Sequence, residues 1–540
     1  MIHVLAFDIG TTGVKTCLFK VGSTVEKIAA TSASYGLTIL PDGGAEQDPQ
    51  DWWEAMSKTS KQLAAKHPDA MQSLAGISFC AQMQSMVMVD RDAKPVHNSM
   101  SYMDQRASAE MKHQVGRGVC VSGINVRTLA TSLKRTGAVA ASVKDPVWKY
   151  HWLRAHRPDE FARGYKWLDV KEALIARMTG KFVMSQDSAF ATLLMDVNAE
   201  TPQFDDTVMG LLDVEKRHMP EIVQCTDVVG PLLEGPAADL GIPAGTPVYA
   251  GGGDASLIGV GAGATAPGQT HVYMGTSGWV STVTEKRKVD MTAMIASVVG
   301  ADPGRYNYFA ELETAGKCLE WVRDHLALDE IHVYLDQRKV TDDPESIHES
   351  LYDYLSEVIA SAEPGAGGVL FTPWLHGNRC PFEDPLARAS FQNISLGTGK
   401  TELLRAVVEG VCMHLRWFVE KHDKKVATSR RVRFVGGGAL SKVTAQILAD
   451  VLQRGVDVVE HPQDVGAVGA AVLVAVGEGL IHQVGEADSL VQVTDSFEPN
   501  PQTKAVYDRQ FKAFTSVYKS NRKIFRILNG NGGSRDQAQR

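Results

Sequence analysis

The sequence predicts an α/β protein of two large domains. Three observations carry that expectation. Short runs rich in β-branched and aromatic residues alternate with amphipathic helical stretches along the whole chain. The length of 540 residues exceeds that of one typical domain. A small turn of Gly, Thr and Ser follows an apolar strand twice, as Gly10-Thr11-Thr12-Gly13 and as Gly275-Thr276-Ser277-Gly278.

Taken in order, strands are expected over 4–7, 14–19, 76–79, 247–250, 271–274, 369–371 and 432–435. Helices are expected over 51–65, 169–179, 317–325, 400–422 and 441–451, where apolar residues recur at three- and four-residue spacing. The most apolar later stretch, 465–476, falls short of the ~20 residues that span a bilayer and reads as a buried helix. The N-terminus reaches Asp8 without a basic start or a long apolar run, so it reads as a first strand, not a signal peptide. The expected division is residues 1–255 and 256–528, with a polar, Gly-rich, disordered tail over 529–540.

With 44% hydrophobic and 22% charged residues the chain can form an ordinary core. The net charge of −8 comes with scattered Lys and Arg, which argues against nucleic acid as a partner, and no stretch suits a membrane. Seven cysteines, an odd number without Cys-x-x-Cys spacing, disfavour a disulfide framework or a zinc cluster and fit a reducing cytoplasm.

The two Gly-Thr turns leave backbone N–H groups and hydroxyls available and let an anion approach closely. Either one alone also reads as an ordinary tight turn. As a pair, each opening one half of the chain, they could hold one polyphosphate. Two lookalikes fail: Gly399-Lys400-Thr401 has Ile394 where a P-loop needs its first glycine, and Gly259, Gly261 and Gly263 are misplaced for a dinucleotide fingerprint. The first reads as a helix start, the second as close helix packing.

Several further runs bear on the chemistry: Phe7-Asp8-Ile9-Gly10-Thr11-Thr12, Glu46-Gln47-Asp48-Pro49 before Trp52-Trp53, Asp104-Gln105-Arg106, Gly251-Gly252-Gly253-Asp254, Gly377-Asn378-Arg379-Cys380-Pro381 with Asp384-Pro385, and Gly436-Gly437-Gly438-Ala439 with Gln446 and Asp450. With the second Gly-Thr turn, these resemble the FGGY carbohydrate kinases over nearly the whole chain, and within that family the Gly-Gly-Gly-Asp and Glu-Gln-Asp-Pro runs look most like xylulose kinases. The resemblance implies two actin-like, ribonuclease H-like ATPase domains flanking a cleft that closes over its ligands. It implies ATP and Mg²⁺, a small-molecule sugar or polyol substrate, and leaves a homodimer open.

Residue by residue, the resemblance makes Asp254 the catalytic base; an aspartate capping the following helix is the plain alternative. It brings Asp8 to the Mg²⁺ through water and Lys15 to the transferred phosphate, where a solvated strand lysine is the alternative. Thr11, Thr12, Gly275 and Thr276 then surround the ATP phosphates, and Gly316, Gly437, Gly438 and Lys442 form the adenosine pocket. Met83, Gln84, Asp104 and Arg106 lie where the family contacts its sugar, while a structural ion pair is the alternative for Asp104 and Arg106. Xylulose kinases usually carry His at the position of Gln84 and often Asn at that of Ala255. The expected activity is ATP-dependent phosphorylation of a ketopentose such as xylulose. Alternatives are a kinase of a tetritol, pentitol or small hydroxylated signal molecule, and an actin-like or chaperone-like ATPase without a sugar substrate.

Overall fold

The structure, a computed structural model, describes residues 1–116, 118–121, 123–325 and 355–530. It forms two compact units. The first comprises Met1–Gly263, Val298–Arg305 and Gly466–Leu490; the second takes the described parts of Ala264–Ser297, Tyr306–Val465 and Val491–Arg540.

In the first unit the sheet runs Val228–Pro231, Pro247–Tyr249, Leu74–Ala81, Ile2–Ile9, Gly13–Val21, Val25–Ser34, with the short strand Gly252–Gly253 added to Leu74–Ala81. Ile2–Ile9 is antiparallel to Gly13–Val21 and parallel to Leu74–Ala81. Its near-continuous apolar sequence follows from burial on both faces. Leu5, Phe7 and Ile9 share a core with Trp52, Trp53 and Met56 of the helix Pro49–Lys66. That helix starts where the sequence sets its signals: Asp48 accepts from the Gln50 N–H at 2.8 Å, and Pro49 follows.

The second unit repeats the plan. Its central strands run Tyr306–Leu312, Gly278–Thr284, Thr270–Met274, Arg431–Val435, Gly455–Val459, Val493–Phe497. Thr270–Met274 is antiparallel to Gly278–Thr284 and parallel to Arg431–Val435, as Ile2–Ile9 is to its own two neighbours. The two Gly-Thr turns therefore close equivalent hairpins in two sheets of one topology. The helix Lys400–Asp423 begins at Gly399, whose N–H donates to Glu402 at 2.9 Å, so this segment is a helix start and no phosphate loop.

The division differs from a single cut at 255. That position lies inside the helix Asp254–Gly261, which stays with the first unit, and 466–490 returns to the first unit late in the chain. The cause is the apolar helix Val465–Gly477, which packs against the first unit's elements: a Cβ at Gly469 would meet the Leu257 carbonyl at 2.4 Å and one at Gly477 the Tyr249 ring at 2.3 Å. The Tyr249 hydroxyl donates to Glu478 at 2.8 Å. The helix Lys504–Asn529 carries the chain to the start of the expected tail, and 531–540 lie outside the described residues. Among the described residues no helix is long and apolar enough to cross a membrane. None of the seven cysteines is in a disulfide.

Candidate functional site

Three neighbouring strands of the first unit align Asp8, Cys80 and Gly252 in one row, since Asp8 pairs with Cys80 and Cys80 with Gly252 in parallel register. The row lies at the carboxyl ends of parallel strands, where open α/β sheets bind ligands. Lys15 stands directly opposite Asp8 on the antiparallel neighbour. The Cys80 thiol, fully buried, is pushed well up by burial and then by the charges of Asp8, Asp254 and Asp187, so several carboxylates surround one sulfur. Gly466 opens space for Asp8: a Cβ there would lie 2.7 Å from its Oδ2.

Asp254 is the first residue of its helix, and the N-cap is Gly253. The cap reading thus moves by one residue, although Asp254 Oδ1 does accept from the Ala255 N–H at 2.7 Å. Of the three preceding glycines, Gly251 is sterically required by its backbone surroundings, and Gly253 leaves room for Met83. Gly251 has φ +66 and a Cβ there would meet the Phe79 carbonyl at 2.5 Å; one at Gly253 would meet the Met83 sulfur at 2.1 Å. Met83 and the Asp254 turn are therefore packed together.

Beneath this turn lies a buried network with no sequence signal. Asp187 Oδ2 accepts from the Gly253 N–H at 2.7 Å and from the Ser256 hydroxyl, and its Oδ1 accepts from the Ser188 N–H at 2.9 Å. Burial pushes this carboxyl up, but Lys171 and the hydrogen bonds outweigh it and hold it below the usual range. Lys171 donates to Ser185 at 2.7 Å and Ser188 at 2.8 Å and pairs with Glu172. Asp187 remains an anion that ties down the residue before Asp254.

The first Gly-Thr turn is closed by Gly10 N–H donating to the Gly13 carbonyl at 2.9 Å. The Tyr35 hydroxyl donates to the Gly10 carbonyl at 2.6 Å, with that of Gly13 at 3.0 Å. Burial, then the charge on Asp8, pushes the Tyr35 phenol up. Gln47 donates to the Thr11 carbonyl at 2.7 Å and accepts from Gln82 at 2.9 Å, linking the turn to the segment that precedes Met83. The Thr12 side chain is exposed.

Gln84 is half-buried with φ 63. Asp104, 1% exposed, accepts from the Ala45 N–H at 2.9 Å and from Arg106 at 2.7 Å. Arg106 also donates to Glu46 at 2.7 Å and lies 4.1 Å over the Trp152 ring. Both side chains are thus held by hydrogen bonds to protein partners.

In the second unit, Gly275 N–H donates to the Ser277 carbonyl at 2.9 Å, and the helix Gly316–His325 starts against the same turn, with Gly316 N–H to the Gly275 carbonyl at 2.7 Å and Lys317 N–H to that of Thr276 at 3.2 Å. The parallel strand Arg431–Val435 ends beside Thr270–Met274, so Gly436, at φ +93, and Gly438 press on Met274. Gly275, Thr276, Gly316, Gly437 and Gly438 thus gather at one strand end. A Cβ at Gly437 would meet nothing within 4 Å. Lys442 lies four residues after Gly438. It opens the helix Lys442–Leu452, is 73% exposed, and pairs with Asp495 at 2.8 Å beside a cavity of about 160 Å³.

The sequence matches the FGGY family of carbohydrate kinases, N-terminal domain, over residues 3–261 and the C-terminal domain of that family over residues 271–478. It is 28% identical over 534 residues to a xylulose kinase of Lactococcus lactis, covering 97% of this chain and 98% of that protein. It is 26% identical over 523 residues to a gluconokinase of Bacillus licheniformis, covering 96% of each. Among solved structures, a ligand-bound xylulose kinase from Lactobacillus acidophilus superposes with a TM-score of 0.82 at 24% identity, over 98% of this chain and 100% of that one. The fold is two-domain and actin-like, and the chain belongs to the FGGY family of carbohydrate kinases, sugar phosphotransferases.

Proposed function

We propose that this kinase transfers the γ-phosphoryl group of ATP to a hydroxyl of a small ketopentose, with xylulose the leading acceptor. The observation that carries the reading is Asp254, set at a helix start behind three glycines, in the same cluster of carboxylates as Asp8 and packed beside Met83. Asp254 accepts the proton of the attacking hydroxyl as the new O–P bond forms and the bond from the γ-phosphorus to the β,γ-bridging oxygen breaks, leaving ADP. Lys15 offsets charge on the transferred group, and the turn of Thr11 and Thr12 presents donors to it. Gly275 and Thr276 serve the phosphates, and Gly316, Gly437 and Gly438 the adenosine. The Asp8 carboxylate, a hard oxygen donor given room by Gly466, fits a Mg²⁺ held through water, and that ion when bound supplies neutralisation of phosphate charge. Met83 and Gln84 line the acceptor, with Asp104 and Arg106 supporting them from behind.

A hydroxylated acceptor is supported by Gln82 Oε1 and Ser85 Oγ, buried acceptors on either side of Met83 and Gln84 that have no partner among the described residues. The relatives named xylulose kinase and gluconokinase set the competitors. ATP supply makes the cytoplasm the working compartment. The test is ADP release with ATP and Mg²⁺ over pentuloses, hexuloses, pentitols, tetritols, glycerol and gluconate. A ketopentose should give the highest kcat/KM, and a higher value for gluconate or a polyol would overturn the assignment.

A further inference from the structure

Gln84 holds its backbone in the left-handed region, a conformation that a residue with an unbranched side chain adopts only when its surroundings impose it. Two buried charges impose it here. Asp169 accepts from the Gln84 N–H through Oδ2 at 2.8 Å and from the Ser85 N–H through Oδ1 at 3.1 Å. Lys149 donates from Nζ to the Gln84 carbonyl at 2.6 Å. The donor and the acceptor of one peptide residue are thus gripped by opposite charges.

Both charges sit on rigid elements. Lys149 is 0% exposed in the helix Pro146–His156, and Asp169, 5% exposed, caps the helix Val170–Thr179 by accepting from the Val170 N–H at 2.8 Å. Burial lowers Lys149 to about 8 against the attraction of Asp104, Asp169 and Asp145, and burial with the Glu172 charge raises Asp169 to about 7. Keeping a lysine and a carboxylate in such a place is costly unless their hydrogen bonds are well used. Three of those bonds go to the backbone of Gln84 and Ser85. The charge of Asp104, itself bonded to Arg106, also attracts Lys149.

We propose that Lys149 and Asp169 are positioning residues that clamp the backbone of Gln84 and thereby aim its amide, so that they set which acceptor the kinase prefers; this rests on the reading that Gln84 touches the acceptor. A released Gln84 would return to negative φ, and its Cα–Cβ bond would point elsewhere.

The experiment compares kcat and KM for D-xylulose, D-ribulose and ATP in the parent, Gln84→Ala, Lys149→Met, Asp169→Asn and the double variant Gln84→Ala with Lys149→Met, with a melting temperature for each. Gln84→Ala and Lys149→Met should each move the ratio of kcat/KM between the two pentuloses in the same direction by ~10-fold, with KM for ATP within about twofold. In the Gln84→Ala background Lys149→Met should leave the ratio where it stands, because no amide is left to aim. If Lys149→Met does not fold, Asp169→Asn, which keeps one acceptor oxygen, carries the comparison with a smaller shift in the same direction. Equal losses for both pentuloses in the foldable clamp variants, with Gln84→Ala still moving the ratio, would overturn the clamp and leave the acceptor site standing. A ratio unmoved by Gln84→Ala would overturn the acceptor assignment of Gln84 and the clamp with it.

Discussion

Replacing Asp254 with Asn exchanges one carboxylate oxygen for an amide nitrogen and leaves nearly everything else in place. The amide oxygen can still accept from the Ala255 N–H, now at 2.7 Å, and the contacts of Gly251 with Phe79 and Gly253 with Met83 do not involve the side chain. Stability should therefore change by no more than ~1 kcal/mol. The basic oxygen is lost outright, and a missing general base costs about 10²–10⁴ in rate, or ~3–5 kcal/mol of transition-state stabilisation. A coupled ADP-release assay should show kcat collapsing by that factor while KM for ATP stays within a few-fold, since the residues proposed for adenosine, Gly316, Gly437 and Gly438, belong to the second unit. Asp8→Asn is the control and should raise the Mg²⁺ concentration needed for half-maximal rate. A folded Asp254→Asn enzyme with kcat within about threefold of the parent would refute the base assignment and leave Asp254 a helix-start residue.

Gln84→His should shift relative kcat/KM among acceptors toward D-xylulose, measured on the same acceptor panel, because an amide orients hydroxyls without acting as a base. Asp187→Asn should lower both the melting temperature and kcat, as it removes one of the two carboxylate charges that offset the buried Lys171, Glu172 being the other, and loosens Gly253, a loss of ~1–3 kcal/mol; Ser256→Ala should act in the same direction and more mildly. Glu46 is lowered from 4.5 to about 2, first by the His97 hydrogen bond and also by Arg106 and Asn98 against an opposing burial effect. A depressed acid contributes stability that is full above its unfolded value and is lost as pH falls toward 2, so Glu46→Gln should flatten the decline between pH 4.5 and 2 and remove ~1–2 kcal/mol at neutral pH, read by denaturant titration.

The hairpins were legible because their signals are local: an apolar strand, a Gly-Thr turn, then a second strand, each in consecutive residues. The same holds for the helix beginning at Lys400, where a missing glycine at Ile394 already argued against a phosphate loop. The return of 466–490 to the first unit was not legible. A helix that is apolar all round, such as Val465–Gly477, carries no face that names its partner, so only packing decides where it goes. Asp187, Lys171, Lys149 and Asp169 escaped for a different reason. Asp187 acts on the backbone of Gly253, and Lys149 and Asp169 on that of Gln84, all far away in sequence, while Lys171 is held by the side chains of Glu172, Ser185 and Ser188, and such bonds leave no spacing to detect. The Asp104 and Arg106 pair was visible as a motif, but its commitment to Ala45, Glu46 and Trp152 depends on the fold.

The two equivalent hairpins carry different residues at matching places. Counting back from each turn, the place held by Asp8 in the first hairpin is held by Tyr273 in the second. Asp8 faces Lys15 across its hairpin, whereas Tyr273 faces Trp279, and these two rings stack at 3.9 Å. One topology therefore sets two oppositely charged residues opposite each other in one copy and an aromatic pair in the other. The aromatic pair fixes the turn sterically: a Cβ on Gly275 would lie 2.1 Å from the Tyr273 hydroxyl, so Gly275→Ala must displace either the ring or the turn. A displacement of this kind at a phosphate-positioning turn should reduce kcat/KM for ATP by ~10–100-fold. It should leave the Mg²⁺ requirement as in the parent, because no acidic side chain of the first unit is touched. Steady-state titration of ATP and of Mg²⁺ separates the two effects, and Asp8→Asn should show the reverse pattern. A raised Mg²⁺ requirement in Gly275→Ala would mean that the second turn shares the metal's work, and the division between a charged and an aromatic hairpin would fail.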